Sequence, residues 1–326
     1  MPTAARTYWL TSACRIRRVD QSLAIERADG KAIRVPVTDV RDIVACEPID
    51  INTSCVSLLN RYGIDVHLLG HYGDYAGSLL TADKHTSGAL VMAQARHASD
   101  PTLSLPIARA VIRATAHNVR RVIDRTLLKS AYTSLDAKLD AADSVDHLMG
   151  LEGNFRRTAW ALIDTKLPDW LQLDGRSRRP PANAGNALIS YLNGIIYSRV
   201  LSAIRLTPLH SGIGILHSSI ERQRHALALD LAEVFKPLFA ERLLLRLSSR
   251  NQLQLHHFES TVNQAALSDT GRKFIVETIR DELQTTIRHR ALNRKVSYDE
   301  LLHLEALKLS RTFLENQPYK PFRIWW

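Results

Sequence analysis

At the start of the chain the apolar positions recur at every second place. In SLAIERADGKAIRVPV they are Leu23 and Ile25, then Ile33, Val35 and Val37, with Asp29-Gly30 between the two runs. Alternation of this kind predicts half-buried strands, and the Asp-Gly pair predicts a hairpin, because glycine accepts the positive φ of a tight turn. RDIVAC predicts a further strand. INTSCVSLLNRYG predicts one short helix, with Asn52 or Thr53 available as its cap and Gly63 as its close. IDVHLLG then sets Ile64, Val66 and Leu68 on one face, and AGSLL follows a turn rich in Gly and Tyr. The expectation is a small, mostly β module with one helix, spanning residues 1–85.

The period then changes. TADKHTSGALVMAQARHASDPTLS is polar and interrupted by Gly88 and Pro101, which predicts a linker over 86–104. From residue 105 to 326 the pattern is helical almost throughout. Ala108, Ile112, Ala116, Val119, Ile123 and Leu127 recur in steps of three or four and predict one apolar stripe. Arg109, Arg113, His117, Arg120, Arg121 and Arg125 lie on the other faces, where they form either a solvated surface or a phosphate-contacting stripe. Pro180-Pro181 breaks the pattern, and a helix restarts near Asn183. Residues 270–316 read as two helices with a basic joint, Arg288 to Lys295, and Ser297 followed by Glu300 resembles a capping box. The tail, YKPFRIWW, is too aromatic to leave in water, so it is expected to pack on the helical body. The fold class is therefore α+β: a β-rich N-terminal domain, then a larger all-α domain.

Bulk composition narrows the function classes. The 326 residues are 45% hydrophobic and 23% charged, an ordinary globular balance. No run of 18 apolar residues suggests a membrane span, and the N-terminus holds no apolar stretch long enough for a secretory signal. Cys14, Cys46 and Cys55 make no CxxC and cannot all pair, which predicts a reducing, cytoplasmic setting and no thiolate metal site. A formal charge of +10 and a pI near 9.7 favour a polyanionic partner. The absence of GxxxxGK[ST], GxGxxG and GxSxG argues against a nucleotide cofactor and a serine elbow.

The candidate chemistry lies in a few acids and one histidine. From Leu227 to Phe235 seven of nine residues are apolar and the other two are Asp230 and Glu233, neighbours on one helix face. A buried carboxylate needs a cation partner or a raised pKa. The partner is either an arginine such as Arg156 or Arg157, or a metal. His217 follows GIGIL, whose glycines permit close backbone approach, and is either a structural residue or a ligand. Glu152, among Leu148, Leu151 and Phe155, is either a salt-bridged acid or a ligand. Carboxylates and one imidazole suit Mg2+ or Mn2+, with positions left for water and phosphate oxygens. His256-His257, an adjacent pair, would chelate poorly if the segment is helical and is taken as incidental.

Four ordered segments carry a resemblance: GLEGNFRRTAW, RRPPANAGNALISYLNGIIYS, GILHSSIERQRHALALDLAEVFKP and LNRKVSYDELLHLEALKL. Together they resemble the nuclease-integrase family of CRISPR spacer acquisition, closest to its type I-B variants. CRIRRVDQSLAIE and YGIDVHLLGHYGDYAGSLL resemble that family's β domain. The resemblance implies a homodimer joined through the N-terminal domains. It implies Mg2+ or Mn2+ bound by Glu152, His217 and Glu233 as catalytic residues, with Asp230 and Arg156 in supporting places. It implies double-stranded DNA as substrate, both as captured fragments and as the CRISPR repeat, and a small dimeric acquisition protein as partner. The reaction implied is attack of a 3′-hydroxyl on a phosphodiester, or hydrolysis when water replaces the hydroxyl. Arg176, Arg178, Arg179 and Arg246 are the expected DNA contacts. Two departures stand out: Ala159 where relatives often carry an aromatic, and Ala114-Thr115 near a common lysine. The competing expectations are a non-catalytic basic DNA-binding scaffold and a stand-alone nuclease for branched repair intermediates.

Overall fold

The period-two stretches fold as strands β1 (Arg6–Leu10), β2 (Cys14–Val19), β3 (Ser22–Arg27), β4 (Ala32–Pro36), β5 (Val40–Ala45), β6 (Ile49–Ile51), β7 (Asp65–Leu69) and β8 (Tyr75–Leu79), with helix α1 (Thr53–Tyr62) between β6 and β7. The computed structural model describes residues 5–326, except Ala28, Arg179 and residues 83–84, 218–223 and 262–263. The strands make two four-stranded sheets, ordered β1-β5-β7-β8 and β4-β3-β2-β6. The expected details hold. Asn52 Oδ1 caps α1 by accepting from Cys55 N at 2.9 Å, Gly63 closes it at φ 66°, and Gly30 turns the β3–β4 hairpin at φ 79°. Ile33, at the turn end of edge strand β4, is 51% exposed, whereas Val35 on the same face is 4% exposed.

Strand β5 shows why RDIVAC is so apolar. Ile43 and Ala45 face the N-terminal core with Ile16, Leu23, Leu58 and Val66, while Val44 and the following Cys46 join the helical core. Successive side chains of a strand point to opposite faces, and this sheet is covered on both. The β module therefore lies directly against the helices.

The segment expected to be a linker is instead helical. Helix α2 (Gly88–Ser99) is capped by Ser87, and α3 (Pro101–Ile123) by Asp100, whose carboxylate accepts from Thr102 N at 2.8 Å. Gly88 and Pro101 punctuate starts rather than interrupt helices, and proline at the first helical position gives up an N–H that has no intrahelical partner anyway. Helix α2 packs on α3 and on α10 (Tyr298–Glu315). The apolar stripe of α3 is buried as expected, except that Leu127 lies past the helix end and is 63% exposed.

Helices α4 (Lys129–Leu139), α5 (Val145–Asp164), α6 (Ala184–Arg205), α7 (Ala226–Lys236), α8 (Arg242–Ser249) and α9 (Asp269–Gln284) complete the helical body, with a hairpin of β9 (Phe258–Thr261) and β10 (Gln264–Leu267). A π-type turn over Pro237–Glu241 joins α7 to α8. The basic joint between the last two helices is a second hairpin, β11 (Thr286–His289) with β12 (Arg294–Ser297). Its β-branched Thr286, Ile287 and Val296 outweigh the helical pattern on either side. Ser297 caps α10 as expected, accepting from Glu300 N at 3.1 Å. Helix α6 has the length and hydropathy of a membrane span, but it is the buried centre of this fold.

The aromatic tail packs as expected. Phe322 stacks on Phe235 of α7 at 5.2 Å. Asn118 of α3, fully buried, donates to the carbonyls of Val234 and Phe322 and accepts from Ile324 N at 2.8 Å, so one side chain ties tail, α3 and α7 together.

Sheet and helices are joined by charge. Arg199 of α6, 3% exposed, donates to both oxygens of Asp42 on β5 at 2.7–2.8 Å and to Asp299 of α10 at 3.0 Å. Arg41 closes the set by pairing with Asp299 at 2.6 Å. Burial alone would raise both carboxyls, but Arg199 and Arg41 outweigh it and hold each below the usual carboxylate range. Beside them His67 of β7, fully buried, bridges Ser78 and Ser202 at 2.7 and 2.8 Å. The approach is close elsewhere too. A Cβ on Gly194 of α6 would stand 1.7 Å from the carbonyl oxygen of Gly73, a turn residue at φ 75°.

Burial pushes the His67 imidazole down to about 4 from an ordinary value of 6.5. The unfolded chain therefore binds the extra proton between those values, so stability falls as pH drops through that window, by about 3 kcal/mol. Asp42 and Asp299 extend the loss to still lower pH. In urea denaturation at pH 7.5 and pH 4.5, His67→Gln is expected to show a clearly smaller fall than the natural protein. An equally steep fall in the variant would remove His67 as its source.

Candidate active site

Helix α7 begins where a loop returns from α6, and that loop carries His217. Three devices fix its described part. Gln94 of α2, fully buried, donates to the carbonyls of His210 and Ile213 at 2.9 and 2.7 Å and accepts from His210 N at 3.0 Å. Gly214 sits so close to α7 that a Cβ there would lie 2.8 Å from the Ala226 methyl and from the His217 carbonyl oxygen. Asp230, 3% exposed, accepts from the backbone N–H groups of Ile215, Leu216 and His217 at 2.5, 3.0 and 2.9 Å. The segment expected to be a linker thus helps hold the site.

Asp230 also takes Nδ1 of His217 at 2.7 Å. A ring that donates from Nδ1 to a carboxylate carries its lone pair on Nε2 when neutral, the arrangement that orients an imidazole for a cation. Asp230 is therefore satisfied by backbone and imidazole, not by Arg156 or Arg157.

The other acids are paired differently. Glu233, one turn along α7, meets the ammonium of Lys236. Burial alone would raise the Glu233 carboxyl, but Lys236 first, then Arg156 and His217, outweigh it and hold it low. Glu152 lies on α5, and its ion pair is with Arg156 at a long 3.7 Å. Burial raises the Glu152 carboxyl, Arg156 only partly offsets that, and the charge of Glu233 raises it further. The two glutamates thus feel each other, and Glu233 feels His217. They do not close into a cage: among the described residues no three His, Cys, Asp or Glu side chains enclose an ion position.

In donor type alone the set is one that suits a divalent cation. Two half-buried carboxylates repel each other here, and the Lys236 ammonium meets Glu233 as a cation would. Two carboxylates and one imidazole oriented through its other nitrogen suit Mg2+ or Mn2+.

Arg156 donates to Glu241 at 2.5 Å and lies with its guanidinium carbon 4.5 Å above the Trp160 ring. Glu241 escaped the sequence reading, although an acid within PLFAERLLL carries the same signal as Asp230 and Glu233. Of the four arginines expected on DNA, Arg178 is exposed and Arg179 lies outside the described residues. Arg176 is instead turned inward, donating to Asn186 and Ser190 at 2.8 and 3.0 Å; burial first, and Arg178 second, push its guanidinium down to about 10. Arg246 pairs with Glu282 at 2.7 Å. The α3 stripe is likewise engaged: Arg113 with Asp136 and Asp140, Arg109 with the Ala142 carbonyl, Arg121 with the Trp326 carbonyl. His257 serves as packing surface, stacked on Phe274.

Comparison with known proteins now decides the family. The family model for CRISPR associated protein Cas1 matches residues 7–281. The chain belongs to the Cas1 family. CRISPR-associated endonuclease Cas1 2 of Moorella thermoacetica is 37% identical over 98% of this chain and 100% of its own length. The solved structure of a CAS1 protein from Thermotoga maritima shares 30% identity, with a TM-score of 0.89 over 96% of this chain and 99% of that one. A casposase bound to integration product shares the fold at 18% identity, with a TM-score of 0.84 over 96% of this chain and 91% of that one.

The hydrogen bonds of Asp230 generate a prediction for this Cas1-family chain. Asp230→Asn turns an acceptor into a donor that faces N–H groups, and hydrogen bonds to a charged acceptor are worth about 1.5–3 kcal/mol each. Amide exchange at Ile215–His217 is expected to quicken by roughly tenfold to a hundredfold, read by exchange mass spectrometry. Unchanged protection there would mean that Asp230 does not anchor the loop.

Proposed function

We propose that this chain joins the 3′-hydroxyl ends of short DNA fragments to a phosphodiester at the edge of a CRISPR repeat, and cuts DNA when water takes the hydroxyl's place. The attacking 3′-oxygen forms a new P–O bond, the existing bond to the repeat's 3′-oxygen breaks, and that oxygen leaves as a hydroxyl. One ester replaces another, so no nucleotide hydrolysis is needed. The observation that carries this reading is His217, held by Asp230 on the same helix face that presents Glu233, with Glu152 within electrostatic reach.

Glu152, His217 and Glu233 would hold Mg2+ or Mn2+, which when bound neutralises charge building on the phosphoryl group. The rest is done by the chain itself. Asp230 keeps the His217 ring in one orientation and one tautomer. The half-buried setting of both glutamates limits water around the reacting phosphate and strengthens each electrostatic contact there. Exposed arginines such as Arg178 meet the DNA backbone, and the excess positive charge draws the polyanion in. A homodimer joined through the β modules, working with the small dimeric acquisition protein, would bring two such sites to the two ends of one fragment.

Glu233→Ala tests the chemistry against a plain scaffold. Measured on a repeat-containing plasmid with labelled fragments, joining is expected to fall by at least about a hundredfold while DNA affinity is kept. A variant that still joins fragments would rule out Glu233 as a catalytic residue.

Salt dependence tests the backbone contacts. Arg178→Ala is expected to lower the slope of log affinity against log salt by about 0.9, whereas Arg246→Ala, committed to Glu282, leaves it unchanged. Equal slopes for natural protein and Arg178→Ala would remove Arg178 from the interface.

A further inference from the structure

One buried acid has no part in the reading above. Glu241 closes the π-type turn that follows α7 and is 1% exposed. Its Oε1 accepts from Arg156 at 2.5 Å, and its Oε2 is buried without a hydrogen-bond partner among the described residues. Extra-residue turns of this type recur at functional sites.

The position of Arg156 is what needs explaining. It lies one turn after Glu152 on α5, the spacing at which a glutamate and an arginine ordinarily meet. Yet its Nε stays 3.7 Å from Glu152 Oε1, while its Nη2 lies 2.5 Å from Glu241. The Trp160 ring, one turn further along, supports the guanidinium from below. Two acids compete for one fork, and the one from the π-type turn holds it.

We propose that Glu241 is a positioning residue that withholds Arg156 from Glu152, leaving the Glu152 oxygens free for the cation. This rests on the reading of Glu152 as a ligand. An arginine fork closed on a buried carboxylate forms short, charge-assisted bonds that a divalent ion would first have to break. Glu241 gives the guanidinium a partner elsewhere, so its charge stays near the site without blocking it.

The test uses the full chain and manganese alone. Glu241→Gln keeps the shape and removes the competing charge. In its metal-free crystal structure Arg156 is expected within hydrogen-bond distance of Glu152, and Mn2+ affinity, read by the electron paramagnetic resonance of free Mn2+, is expected to weaken about tenfold. The double variant R156M/E241L replaces the pair by apolar side chains of similar volume, a change that buried ion pairs tolerate, and is expected to bind Mn2+ at least as tightly as the natural protein. Uptake by Glu241→Gln equal to the natural protein's, or weak uptake by the double variant, would overturn the role of Glu241 alone. A natural protein that takes up no Mn2+ would overturn the cation reading itself.

Discussion

The fold depends on Arg199. A guanidinium removed from water must find opposite charge, because an unpaired buried ion costs several kcal/mol. Asp42 and Asp299 supply it from two different directions, β5 and α10. Helix α6 can therefore sit in only one register against the sheet and one against α10. Apolar packing alone would tolerate sliding, since Leu, Ile and Val substitute for one another at small cost. The contact of Gly194 with the Gly73 carbonyl sets the distance in the same way that the charges set the register. Helix α7 packs on α6 and inherits this placement, and α7 carries Asp230 and Glu233.

Around the site, similar side chains do different work because their partners differ. Asp230 has its oxygens filled by three backbone N–H groups and an imidazole, so it acts as a structural anchor. Glu233 has a lysine on a flexible stem, a partner that can leave. Among the described residues Glu152 has only a distant arginine, and burial raises its carboxyl. The two poorly or reversibly satisfied acids are the ones with free capacity for a cation. On the proposed reading, which acid anchors and which would bind a cation follows from hydrogen-bond supply, not from residue type.

Much of this was legible in the chain. Period-two and period-three-to-four patterning separated the β module from the helices, and the caps at Asn52 and Ser297 and the helix start at Asn183 lie where residue chemistry put them. Buried acids were legible as acids in apolar runs. Their partners were not, because Asp42 and Arg199 stand 157 residues apart and no local spacing joins them. Residues 88–99 were misread because Gly88 and Pro101 weaken a helix interior yet suit its first positions, and polarity hid the buried Gln94. The β11–β12 hairpin was hidden by its arginines and lysine, which project from an exposed two-stranded ribbon.

The basic composition has to be read through the same lens. Each ion pair removes one positive and one negative charge, so pairing leaves the +10 excess intact. It does, however, decide which cations carry that excess. Arg113, Arg199, Arg242, Arg246 and Arg272 are all held by carboxylates, and Arg109, Arg121 and Arg176 donate to carbonyls or polar side chains within the fold. An arginine in the second group keeps its charge but has given up its directed donors, so it contributes to long-range attraction more than to phosphate contact. On the proposed function, electrostatic attraction of DNA and the grip on its backbone would therefore be carried by overlapping but different sets of residues. A helix such as α3, whose arginines donate within the fold, would supply mostly the first.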